Sequence, residues 1–185
     1  LLGWQPEQHG LARRLLVEHG VPGLPLDAIM VAASRQQGFQ VGFDDPSPQR
    51  AAALWPFTAD VIHTIAFQMQ HYAFEGDYLL PQHVAAFRHV YPQLLVQSVF
   101  LGYAQVDPEQ KLRDIREHVS TNNWTHALDD TALMRHILQQ IAFSQGLQAQ
   151  CSRWGLPYVE MRGEHAAAMG RAYTQLMLAL PEMSI

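Results

Sequence analysis

The amino-acid sequence predicts an α/β fold in three layers, a mostly parallel central sheet with helices on both faces, and three observations carry that expectation. Segments of helical period alternate with short apolar runs along the whole chain, the pattern of helices packed over a parallel sheet. The stretch from Leu94 to Tyr103 contains a nearly continuous apolar run, as in a strand buried on both faces, and it marks the expected sheet centre. No internal repeat, low-complexity tract or interdomain linker interrupts the order, so residues 1–185 read as one domain.

Taken in order, the first helix starts near Gln8 and carries Leu11, Leu15 and Leu16 before Gly20, a suitable C-terminal cap. A strand at Gly23 to Leu26 runs into Asp27, and Ala28 to Gln37 reads as a helix. Gly42 to Pro48 reads as a loop, with Ser47-Pro48 opening a long helix on which Leu54, Phe57, Val61, Ile65 and Met69 keep helical spacing. Pro56 within it predicts a kink or a nearby start. Tyr72 to Glu75 is the next strand, Pro81 to Val90 the next helix. Asp107-Pro108 with Gln110 has the form of a capping box, followed by a helix with Lys111, Arg113 and Arg116. After the loop at Thr121 to Trp124 come a long helix striped by Met134, Ile137, Leu138 and Ile141, a short strand at Pro157 to Val159, and a last helix bearing Ala166, Met169, Tyr173, Leu176 and Leu180.

With 48% hydrophobic and 16% charged residues, the chain has the composition of a globular protein. A formal charge of −5 and one lysine argue against a nucleic-acid backbone or an anionic membrane as the main partner, since both are recognised by clustered cations. One cysteine, Cys151, excludes an internal disulfide and points to the cytoplasm; no apolar run is long enough to span a bilayer. Cys151 is expected to be inert packing. The ten histidines show no zinc-ligand spacing, and no metal site is expected. The chain opens Leu-Leu-Gly, as though entering a strand midway.

Several fragments, in a shared order, carry a family resemblance. They are Leu11 to Leu15 after a glycine loop, Gly20-Val21-Pro22 leading to Asp27, Phe74-Glu75-Gly76 with Leu79-Leu80-Pro81, Phe100 to Tyr103, Lys111 to Arg116, Asn123-Trp124, Ser144, and Gly155 to Tyr158. In this order the chain resembles small bacterial P-loop kinases of the ATPase-like, 2-phosphoglycerate-kinase-like group. The resemblance implies a P-loop kinase fold, an acid at Asp27 that orients or deprotonates an acceptor hydroxyl, and Glu75 near the same cleft. It also implies a lid at about residues 104–128 whose basic residues contact phosphates.

The departure from that family lies in the phosphate loop. A working loop, G-x-x-x-x-G-K-[ST], uses glycines for close backbone approach, lysine for the β and γ phosphates, and a hydroxyl for Mg²⁺. Here Gly3-Trp4-Gln5-Pro6-Glu7-Gln8-His9-Gly10 lacks both the lysine and the hydroxyl. A Glu7 carboxylate about 4 Å from a phosphate charge costs on the order of 1 kcal/mol in water and several in a cleft. Trp4 would fill phosphate space, and His9 would act as donor or base.

The leading expectation is a kinase-fold protein that uses no cofactor and has turned its cleft to another small molecule, as catalyst or binder. Asp27, Glu75 and His9 are the catalytic candidates; Trp4, Gly10, Asp77, Lys111, Arg113, Arg116 and Trp124 are the ligand contacts. Against this stand ordinary structural roles: Asp27 as a helix cap, Asp77 as a solvated loop residue, and Arg113 paired with Glu117 on a helix face. The alternatives are an atypical kinase that uses Mg-ATP to phosphorylate a hydroxyl, and a non-catalytic pseudo-kinase that acts through protein contacts as a homodimer.

Overall fold

The computed structural model describes residues 10–35, 47–68, 71–118 and 124–178, and all structural statements concern these. Its helices and strands form a mixed α/β chain with two short parallel strand pairs, in two compact units divided between Val96 and Gln97.

In the first unit, helix α1 (Gly10–His19) leads to strand β1 (Gly23–Pro25), followed without a loop by α2 (Leu26–Ser34). Helix α3 (Ser47–Phe67), strand β2 (Ala73–Glu75) and helix α4 (Pro81–Val90) complete it. Gly20 caps α1 as the sequence predicts: it sits at φ 66° and its N–H reaches the Leu16 carbonyl at 2.9 Å. Strands β1 and β2 pair in parallel, with Gly23 opposite Ala73 and Pro25 opposite Glu75. The core gathers Leu26 and Met30 of α2, Ala51, Leu54 and Thr58 of α3, and Val84 and Phe87 of α4, all buried. The 21-residue helix α3 runs continuously through Pro56. His83 is buried at the third position of α4, where its Nδ1 accepts from Leu80 N–H at 3.3 Å and its ring stacks on Trp55 at 4.6 Å.

The second unit begins with strand β3 (Phe100–Gly102) and helix α5 (Pro108–His118). A 3-10 turn (Trp124–Ala127), the 25-residue helix α6 (Asp130–Trp154), strand β4 (Tyr158–Glu160) and helix α7 (His165–Met177) follow. Asp107 caps α5 by accepting from Gln110 N–H at 2.7 Å, and Asp129 caps α6 by accepting from Ala132 N–H at 2.7 Å. Ile115, Leu133 and Ile137 form a buried cluster, with Tyr103, Leu112, Leu128 and Ile141 packed on it. Strands β3 and β4 are parallel, with Phe100 opposite Tyr158. Cys151 is buried in α6, and desolvation pushes its thiol up to about 11, as inert packing requires.

Two expectations need correction. The run from Leu94 to Tyr103 is not one long central strand: only Phe100–Gly102 pairs, and Leu95 is 60% exposed. The reason lies in α4, where Arg88 donates through Nε and Nη2 to the Val96 carbonyl at 3.1 and 2.6 Å, taking an acceptor that a sheet ladder would need. The division between units falls directly after Val96, so the apolar run serves in part as a connection. Accordingly, the described strands form two separate two-stranded sheets in place of one central sheet. No described helix is long and apolar enough to cross a membrane.

Candidate functional site

Both strands of the first unit point their carboxyl ends the same way, so the residues that follow them are neighbours. Glu75 ends β2, opposite Pro25, and Asp27 lies two residues beyond Pro25 in the first turn of α2. Gly76 tightens this arrangement. It holds φ at 148°, and a Cβ there would stand 2.9 Å from the Leu26 Cβ. Only a residue without a side chain lets the loop after β2 lie this close to the start of α2, beside Asp27.

The result is a cluster of like charges. Asp27 has its pKa raised, first by burial, then by Asp77 and to a lesser degree by Glu75, while Arg50 of α3 acts against them. Asp27 is nevertheless exposed at its surface, so it is accessible while the protein around it removes part of its hydration. Its place is not that of a helix cap: Pro25 occupies the N-cap and offers no side-chain bond. Arg50 lies 5.4 Å over the ring of the buried Tyr78 and donates through Nη2 to Ser47 Oγ at 3.1 Å. Burial and the charge of Asp27 both raise the Tyr78 pKa, which keeps the phenol protonated. Chemically, the site offers a carboxyl group drawn toward its protonated form, two further acids and one guanidinium, a setting suited to proton transfer. Among the described residues, no group of three His, Cys, Asp or Glu could hold a metal ion.

The remaining sequence candidates fall elsewhere. Trp4 and His9 lie outside the described residues, as does the side chain of Trp124, whose backbone opens the 3-10 turn; Gly10 is the first residue of α1. Lys111, Arg113 and Arg116 belong to α5 of the second unit, and each has a local partner. Lys111 places its ammonium 4.6 Å over the Tyr103 ring, half-buried, and desolvation lowers its pKa against the pull of Asp114. Arg113 donates to Gln110 Oε1 at 2.9 and 3.3 Å. Arg116 spans the turn before α6, donating to the carbonyls of Thr125 and Leu128 at 3.3 and 2.7 Å and to Asp130 Oδ1 at 2.9 and 3.0 Å.

A second strand-end acid was not singled out by sequence. Glu160, the last residue of β4, accepts from Ala104 N–H and Tyr158 O–H through Oε2 and from Gln105 N–H through Oε1, each at 3.1 Å. The Tyr158 hydroxyl comes so close to Gly102 that a Cβ there would overlap it, and its pKa is raised by burial and by Glu160. The strand-end rule that identifies Asp27 and Glu75 applies equally to Glu160. Arg50 and Tyr78 carried no comparable signal, because their relation to Asp27 exists only once α3 and the loop after β2 have packed. No family model, curated protein or solved structure matches this chain.

Proposed function

We propose that the first unit binds and acts on a small hydroxylated molecule by acid–base chemistry at Asp27, without a nucleotide. The observation that carries this reading is an exposed carboxyl group whose proton is held more tightly than usual by burial and by Asp77 and Glu75. Such a group donates or accepts a proton nearer neutral pH than an ordinary aspartate, and Arg50 supplies a nearby cation for charge that develops on the ligand. The order of α1, β1 with Asp27, and β2 with Glu75 is also the order that the resemblance to P-loop kinases implies. The sequence of the altered loop, without lysine or metal-binding hydroxyl, supports the omission of Mg-ATP.

The test is calorimetric titration of the protein and of Asp27→Asn with a panel of small polyols and hydroxy acids, with Mg-ATP as a separate arm. The reading predicts a panel member whose affinity falls at least about tenfold, or about 1.4 kcal/mol, in the variant. Equal binding by both proteins would overturn the role of Asp27, and micromolar binding of Mg-ATP would replace the reading with phosphotransfer.

A further inference from the structure

A separate opening lies in the second unit, between β4 and α7. It is a shallow groove of about 490 Å³ lined by Tyr158, Val159, Glu160, Gly170, Arg171, Thr174 and Gln175. Its volume falls within the roughly 300–1,000 Å³ of small-molecule sites, and all three residues of β4 line it.

Gly170 sets the depth of the groove on its α7 side. A glycine inside a helix is less stable than alanine there. Gly170 is half-buried, yet a Cβ added to it would meet nothing within 4 Å. No close backbone approach requires the glycine; what its missing side chain leaves is open space on the α7 side of the groove.

The charges define the occupant. Arg171 is held in place by donating through Nη2 to the Glu160 carbonyl at 3.1 Å, which leaves most of its five donors for other acceptors. The Glu160 carboxylate is fixed by its three donors, and a carboxylate offers about four acceptor positions, so room for one more donor remains. One partly committed cation and one partly committed anion thus line the same groove, flanked by the Gln175 amide and the buried Val159. We infer that this groove binds a small zwitterion of amino-acid size, its carboxylate on Arg171 and its ammonium on Glu160.

The test follows backbone amide shifts of the full chain during titration with alanine, leucine and glutamine, with acetate and methylamine as single-charge controls. Saturable shifts confined to residues 158–160 and 170–175, stronger for an amino acid than for either control, are expected. Arg171→Gln should weaken binding at least about tenfold. Gly170→Phe, which fills the groove from a position with no neighbour to displace, should abolish it while the helical circular dichroism is retained. Equal shifts from acetate and the amino acids would overturn the zwitterion, and no saturation by about 50 mM would overturn the site.

Discussion

Two strand-end carboxylates, Asp27 in the first unit and Glu160 in the second, occupy similar places in similar parallel strand pairs and receive opposite treatment. Glu160 accepts three hydrogen bonds, two from backbone amides and one from Tyr158, so its charge is matched by fixed donors. Asp27 faces two other acids, with Arg50 only partly offsetting them. The difference shows that position at a strand end does not decide a carboxylate's role. The donors around it do: three fixed donors tie Glu160 into the local structure, and crowding by like charges disfavours ionisation of Asp27.

The largest expected effect separates these roles. Replacing Glu160 with Ala leaves the amides of Ala104 and Gln105 and the Tyr158 hydroxyl without their acceptor, and should cost about 2–3 kcal/mol in urea unfolding. Asp27→Asn should change stability by less than about 0.5 kcal/mol at pH 7, toward greater stability, because repulsion at an exposed site is screened. A Glu160 variant as stable as the parent would break the comparison.

Next in size is Arg116→Met, which removes the ties to Thr125, Leu128 and Asp130 and should lower stability by about 1–2 kcal/mol, read in the same unfolding experiment. A neutral result would leave the guanidinium available for a ligand, as the resemblance to kinases implies.

A smaller, pH-dependent effect belongs to His83. Burial lowers its pKa below 6.5, against a backbone hydrogen bond at Tyr78 that acts in the opposite sense, so the folded state favours neutral imidazole. Below pH 6.5 the unfolded chain takes up the proton first; stability contributed by the neutral ring is therefore complete above 6.5 and declines as pH falls toward the folded pKa. The slope of stability between pH 7 and 5 should flatten in His83→Gln. An unchanged slope would assign the titration to other groups.

Much of this was legible in the sequence because it depends on local chemistry. Gly20 and Asp107 announce helix ends by side-chain type and spacing, and the acids after β1 and β2 are visible as residues ending apolar runs. The sheet was less legible. An apolar run signals burial, but whether its carbonyls join a ladder depends on distant competitors, here Arg88 acting on Val96. The same holds for the site. Asp27 and Glu75 could be named from position, and so could Glu160, although its three donors depend, like Arg50 and Tyr78, on tertiary packing. Lys111 and Arg116 carry the residue types of phosphate contacts, yet their neighbours include the Tyr103 ring and the carbonyls of Thr125 and Leu128.

The most direct test is a carboxyl-carbon NMR titration of Asp27 in the parent protein and in Asp77→Asn. The account predicts a midpoint above the ordinary 3.8 that moves downward when the Asp77 charge is removed, with the folded state losing stability as pH rises through that midpoint. A midpoint at or below 3.8, unmoved by Asp77→Asn, would contradict the claim that burial and neighbouring acids raise the Asp27 pKa.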